Sequence, residues 1–350
     1  MNIPVEKWGH QGIVILWAPR SPCNLGCQYC YFGTLEDRLN RTAPLRPGEP
    51  SHVGQNDVSV KAILAFITSF TSDLVHRVFI AGGEPLLWRG IRQMISGLKA
   101  AGSEVIVCTN GLPLVDERMS AWLVNAEVEA VSVSLDSHNP RYNDHWRVDG
   151  SGQGWYGVVK GIETLLRKRK ECRRQIKVGI YSVITRLNID HILNTARFAV
   201  ELGVDYYIIQ PVSLAKDHRL YNELALDTRH YATLADTINM LMETGIKIRL
   251  PNKVYLRLVL ETLTPGPSPM VRGCFGGRDL FFIEPDGSVS DCPSMYRIAE
   301  TQLGERLSII EHTAHDVFSA AKRRKNTDCL CFSQDCVNMW QLMAFDQILG

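Results

Sequence analysis

The chain lacks an excess of either charge. Its 38 lysines and arginines stand against 37 aspartates and glutamates, so the basic surplus that a mainly electrostatic binder of nucleic acid or of a membrane needs is missing, and neither partner is expected. It also lacks a long apolar run. No uncharged apolar stretch reaches the ~18 residues of a membrane-spanning helix, and the opening MNIPVEKWGHQG has neither the apolar core of a secretory signal nor the Arg-rich, acid-poor character of a transit peptide. A cytoplasmic location is the expectation. Low-complexity tracts and internal repeats are missing too, and 45% hydrophobic with 21% charged residues are globular proportions rather than those of a disordered chain. With 350 residues there is room for one large domain with an appendage, or for two domains.

What the chain does have is ten cysteines. Cytosolic thiols are kept reduced, so a disulfide framework is not the expected reason for them. Cys23, Cys27 and Cys30 crowd near the start, and Cys274, Cys292, Cys329, Cys331 and Cys336 near the end, with Cys108 and Cys172 alone between. Two clusters at opposite ends of the sequence suggest two metal sites. Cys108, within an apolar run, reads as a small buried hydrophobe, and Cys172, in RKRKECRR, as part of a solvated basic face.

Between the clusters, β-rich apolar runs alternate with segments of helical period, the pattern of βαβ units and a parallel sheet. Six strands are predicted, at Ile13 to Trp17, Val78 to Ala81, Val105 to Thr109, Ala130 to Leu135, Val178 to Ile184 and Asp205 to Ile209; each is short and nearly continuous in apolar character, as strands covered on both faces are. Helical stripes recur at Val60, Ile63, Leu64 and Ile67, at Ile91, Met94, Ile95 and Leu98, and at Leu234, Ile238, Leu241 and Met242, the last ending at Gly245 as a C-cap. Residues 33–56 are rich in Pro, Gly and Arg and read as a long loop after the first cysteine cluster, either a lid or a surface excursion. TLTPGPSPMVRG at 262–273 marks a boundary between residues 1–261 and a cysteine-rich extension, 262–350.

SPCNLGCQYCYF places the first three cysteines in a Cys-x3-Cys-x2-Cys run directly after the first strand. Three thiolates in one loop can converge on one soft metal centre and leave a coordination position open, which implies chemistry; a structural zinc site, the alternative, wants four protein ligands. The run resembles the signature of the radical S-adenosylmethionine (radical SAM) superfamily. The resemblance implies that Cys23, Cys27 and Cys30 hold three irons of a [4Fe-4S] cluster whose fourth iron chelates SAM, that Tyr29 lies near the adenine, and that reductive cleavage of SAM gives a 5′-deoxyadenosyl radical that takes a hydrogen atom from substrate. It also implies an α/β fold, a partial (βα)6 TIM-type barrel.

Further segments agree in order. Gly82-Gly83-Glu84-Pro85 resembles the family's Gly-Gly-Glu-Pro motif, in which glycines admit close approach of the ligand and the carboxylate accepts from the SAM ammonium. Thr109-Asn110-Gly111 resembles its Thr-Asn-Gly segment, and Ser134-Leu135-Asp136 its Ser-x-Asp segment, although Ser134 and Asp136 also suit a helix cap. Asn188 after the fifth strand, which also suits a cap, and Gln210 after the sixth sit where adenine and substrate contacts lie in the family. All fall at carboxyl ends of strands, where parallel α/β folds put ligands.

In the extension, Cys274 and Cys292 enclose 17 residues that read as a β-hairpin around Pro285-Asp286-Gly287, bringing both thiols together, and Cys329, Cys331 and Cys336 follow. Spacing alone leaves a four-cysteine zinc site open. The segment resembles the SPASM and twitch extensions of radical SAM enzymes, which implies a small cysteine-rich hairpin and helix domain with one auxiliary [4Fe-4S] cluster; which of the last three cysteines are ligands stays open. An auxiliary cluster suits acceptance of an electron from a substrate radical. The reading is thus a radical SAM oxidoreductase or maturase, supplied by flavodoxin or ferredoxin, acting on a small molecule or short peptide. Because the first strand begins by residue 13, leaving no room for an N-terminal leader-gripping domain, and the reduced cysteine count of the extension resembles that of the family's small-molecule dehydrogenases, a sugar, cyclitol or nucleoside-type metabolite is preferred. The alternatives are a ribosomal-peptide maturase and, from another class, a zinc-stabilised interaction protein.

Overall fold

The computed structural model describes residues 2–4, 12–31, 57–150, 154–214, 216–292, 307–319, 323, 328–330 and 332–350. The loop expected at 33–56 and Cys331 lie outside them. The six expected strands are present as β1 (Ile13–Trp17), β2 (Val75–Ile80), β3 (Glu104–Thr109), β4 (Ala130–Ser134), β5 (Lys177–Ile184) and β6 (Tyr206–Pro211). The hairpin of the extension is β7 (Leu280–Ile283) and β8 (Ser288–Ser290). Between strands lie helices α1 (Val60–Ile67), α2 (Ile91–Ala100), α3 (Gly154–Glu171) and α4 (Ile192–Leu202), and later α5 (Tyr231–Glu243), α6 (Lys253–Glu261) and α7 (Gln334–Met343). This is the α/β class with parallel strands that the alternation implies. No described helix is long and apolar enough to cross a membrane.

The chain divides into two units. The first comprises residues 1–23, 52–108 and 268–332. In it β8, β7, β1, β2 and β3 are neighbours in that order; β7, β1, β2 and β3 run parallel, and β8 returns antiparallel to β7. The hairpin of the extension is therefore hydrogen-bonded to the first strand, Phe282 opposite Leu16 and Ile283 opposite Trp17. Side chains explain the seating. β1 is buried along its whole length, Trp17 meets Phe66 of α1 edge-on with ring centroids 5.9 Å apart, and Phe318 packs on both Phe66 and Phe281 at 5.9 and 4.9 Å. Ser59 caps α1 by accepting from the amide of Ala62.

The second unit comprises residues 24–51, 109–267 and 333–350. Here β4, β5 and β6 are parallel neighbours. Gly179 on β5 lies under the ring of Tyr206, where a Cβ would come within 2.1 Å of ring carbons, and the Tyr206 hydroxyl is 2.7 Å from that of Ser132 on β4. Gly203 ends α4 in the left-handed conformation (φ 79°).

Candidate functional site

In the first unit, the Gly-Gly-Glu-Pro motif continues β2 and lies against residues 20–22, the backbone that leads into Cys23. The amide of Gly83 donates to the Arg20 carbonyl (2.9 Å) and that of Glu84 to the Pro22 carbonyl (3.0 Å). A Cβ on Gly82, whose φ is +100°, would stand 2.6 Å from the Arg20 oxygen; one on Gly83 would stand 2.1 Å from the Pro22 oxygen and 2.3 Å from that of Ser21. The close approach that the sequence suggests for a ligand is thus made by the chain's own backbone. Asp57 holds the same segment from the other end, accepting from the Ser21 hydroxyl (2.8 Å), the Ser21 amide (3.1 Å) and Arg20 Nε (2.9 Å). Gly83→Ala, which forces a methyl group into a carbonyl oxygen, is expected to lower stability by about 1–3 kcal/mol, read as a lower urea midpoint; a midpoint equal to the parent's would contradict this packing.

Glu84 is buried. Its Oε1 accepts from the Leu86 amide (3.0 Å), and Pro85 opens the short 3-10 turn Pro85–Leu87 that this bond caps. Desolvation, with the Glu84 carboxylate adding to it, pushes the Cys108 thiol up to about 12, so that thiol is neutral at neutral pH.

In the second unit, the Cys27 to Cys30 turn is closed by the Cys30 amide on the Cys27 carbonyl (3.1 Å). Its two-residue strand Gly26–Cys27 pairs antiparallel with Arg147–Val148, Cys27 opposite Arg147, and the Gln28 amide donates to the Trp146 carbonyl (3.0 Å). Tyr29 is buried against Trp146, ring centroids 6.2 Å apart, in an apolar cluster with Val212, Leu220 and Leu224. Its hydroxyl donates to Asp136 Oδ2; burial, then the Asp136 charge, holds the phenol well above its usual range, so it stays a donor.

Asp136 is a hub. Besides Tyr29, Oδ2 accepts from Arg147 Nη1 (3.1 Å) and Oδ1 from the Val183 amide (2.8 Å). Asn188, fully buried, donates to the carbonyls of Asp136 (3.1 Å) and Val183 (3.0 Å) and accepts from the Thr185 amide (2.8 Å). Asn188 stands at the N-cap position of the 3-10 turn Ile189–His191, but its side chain makes no cap bond; the two side chains instead tie strand ends to one another and fix Tyr29. Asn110 accepts from the Leu112 amide (3.0 Å) and donates to Asn24 Oδ1 (2.7 Å), while the Thr109 hydroxyl accepts from the Gly111 amide (3.1 Å), so the Thr-Asn-Gly turn fastens the start of the cysteine loop. Ser134 and Gln210 are half-buried at the ends of β4 and β6. Arg186 is anchored by Nε on the Ala225 carbonyl (2.9 Å).

Sequence reasoning missed Arg147 and Asp57. Burial pushes the Cys27 thiol up to about 12 against the pull of the Arg147 guanidinium. A buried thiol of that kind carries charge only beside compensating cations, which suits a soft metal ligand; the donor set Cys23, Cys27 and Cys30 fits an iron-sulfur cluster with one open corner.

The extension, back in the first unit, places Cys274 and Cys292 around Gly276. The Gly276 amide donates to Cys274 Sγ (3.4 Å), and a Cβ at 276 would stand 3.1 Å from Cys292 Cβ and 3.7 Å from Cys274 Sγ. The hairpin thus brings the two cysteines together as expected, and an N–H on sulfur is one of the levers of iron-sulfur sites. Cys329 is bridged to Val271 by paired backbone bonds of 2.9 and 2.8 Å, and Asp328 pairs with Arg272 and accepts from the Gly273 amide. Cys336, in the second unit, is buried in the first turn of α7, whose cap Ser333 accepts from its amide (3.3 Å). Cys172 is half-buried, 3.9 Å from Asn125 Nδ2. The nine described cysteines carry no disulfide.

Residues 21–199 match the family described as the Radical SAM superfamily. A probable GTP 3′,8-cyclase of Sulfurisphaera tokodaii is 28% identical over 288 residues, 79% of this chain and 78% of that protein. Among solved structures, native anSMEcpe with bound AdoMet aligns with a TM-score of 0.62 at 16% identity, covering 96% of this chain and 98% of that one. Streptococcus suis SuiB bound to precursor peptide SuiA aligns with a TM-score of 0.62 at 15% identity, covering 95% and 73%. At such identities the likeness concerns the fold.

Proposed function

Because the chain belongs to the radical SAM superfamily, matched over residues 21–199, we propose that it is an oxidoreductase of that superfamily acting on a sugar, cyclitol or nucleoside-type metabolite. Cys23, Cys27 and Cys30 would hold a [4Fe-4S] cluster with SAM at its open iron, and Cys274 and Cys292, with ligands from Cys329, Cys331 and Cys336, an auxiliary [4Fe-4S] cluster. Bound there, the first cluster would supply the electron for reductive cleavage of SAM, and the second would offer an acceptor for an electron from the substrate.

The chain's own residues do the positioning. Gly82 and Gly83 lay the segment before Cys23 along the end of β2, and the Glu84 carboxylate, fixed by the turn it caps, accepts from the SAM ammonium. Tyr29, its hydroxyl anchored on Asp136, would lie near the adenine. Ser134 and Gln210, at strand ends, offer polar groups to SAM or substrate, and the apolar cluster around Tyr29 and Trp146 excludes water from a reactive species. Residues 262–350 serve as the auxiliary-cluster extension, the protein is cytoplasmic, and flavodoxin or ferredoxin is the electron donor.

The observation that supports this reading is the backbone lock between Gly82-Gly83-Glu84 and residues 20–22, the segment that leads into Cys23, with Glu84 itself buried. The nucleoside-type substrate is supported by the relative named for GTP. A second reading, ribosomal-peptide maturation, is favoured by the shared fold with a protein solved with its precursor peptide. The two separate in one assay. The reconstituted enzyme's 5′-deoxyadenosine release is measured with panels of nucleosides, sugars and cyclitols and with short peptides. Stimulation by at least tenfold is expected from the first panel; stimulation by peptides alone overturns the metabolite reading.

A further inference from the structure

We propose that Arg147 is a positioning residue that sets the reduction potential of the cluster held by Cys27, with Asp136 as its opposing charge. The inference rests on the cluster assignment above and adds a residue and a task to it. Residues directly opposite in an antiparallel ladder project their side chains from the same face, Cβ atoms about 4.5–5.5 Å apart. Cys27 and Arg147 are such a pair. The Arg147 side chain is only 9% exposed and meets Asp136 Oδ2 at 3.1 Å, while its Nε has no hydrogen-bond partner. Asp136 is in turn held by Tyr29 and the Val183 amide, so neither charge can swing out to solvent. A fixed cation beside a ligand sulfur favours the more negative, reduced cluster, and a carboxylate nearby opposes it; in a site this dry, screening is weak.

The sign of the effect distinguishes this from structural support. Full-length parent, Arg147→Gln, Arg147→Lys and Asp136→Asn chains are reconstituted anaerobically and titrated with dithionite. The reduced signal is followed by electron paramagnetic resonance, and the cluster is identified by its change when SAM is added. Arg147→Gln is expected to lower the ratio of reduced to oxidised cluster at fixed potential about tenfold, equivalent to ~59 mV for one electron. Arg147→Lys keeps the charge and is expected within about twofold of the parent, and Asp136→Asn, which keeps the hydrogen-bonding shape, is expected to raise the ratio. Shifts of the same direction in the Gln and Asn variants, no shift in either, or an unchanged potential with weakened SAM binding would overturn the proposal. If Arg147→Gln binds no iron, the other two variants decide: a raised ratio in Asp136→Asn with parent-like Arg147→Lys supports it, and any other result rejects it. A parent that binds no iron defeats the cluster assignment instead.

Discussion

Cys23→Ala is expected to reduce 5′-deoxyadenosine formation to background and to remove about four irons per chain, the content of one [4Fe-4S] cluster. With only two thiolates the loop can no longer hold three irons and offer the fourth to SAM. The position is well suited to the test. Cys23 is half-buried, unlike Cys27, so the missing sulfur leaves little core unfilled, and the lock on residues 20–22 is made by backbone groups and Asp57, which the substitution leaves in place. An unchanged thermal unfolding curve alongside the lost activity separates chemistry from folding. Retained SAM cleavage would show that the three-cysteine loop serves another purpose.

Cys292→Ala is expected to behave differently. It should also lose about four irons, now from the auxiliary site, while SAM cleavage persists at a measurable fraction of the parent rate and the oxidised product, once a substrate is supplied, falls at least tenfold. Cys292 is 7% exposed beside Gly276, so the truncation also opens a small void at about 0.8 kcal/mol for a group of methylene size. That is too little to unfold a domain of ordinary stability. Cys274→Ala should match it, because both thiols flank one glycine. Normal product formation in either variant would refute the redox role given to the extension.

The strands are legible because their apolar runs are short and nearly continuous, β1 being buried throughout and β3, β4, β5 and β6 over most of their length. β2 starts three residues earlier than the apolar run suggests, since Val75-His76-Arg77 carries charge. Arg77 is nevertheless fully buried, its Nε donating to Glu104 on β3 at 2.7 Å, and a paired charge inside a sheet has no periodic signature. The hairpin of the extension was readable for the opposite reason: its turn chemistry is local. Gly287 takes φ 83°, and the Asp286 side chain accepts from the Ser288 amide at 2.9 Å.

The candidate site was legible as residue types in order, less so as partners. Glycine at 82 and 83 signals a close approach without saying of what, and the structure answers with residues 20–22. Asp136 and Asn188 carry the right chemistry for a ligand or a cap. Their partners lie far along the chain, Tyr29 at 107 residues and Val183 at 47 from Asp136, a separation that no motif spacing encodes. Arg147 escaped notice because the ladder that sets it opposite Cys27 is two residues long, too short for a period of two to show.

The most direct test of the central claim is anaerobic reconstitution of the full chain with iron and sulfide, followed by dithionite and SAM. The account predicts a brown protein with about eight irons, two [4Fe-4S] clusters, that releases 5′-deoxyadenosine and methionine in equal amounts. A colourless chain that retains zinc, takes up no iron and leaves SAM intact would contradict it.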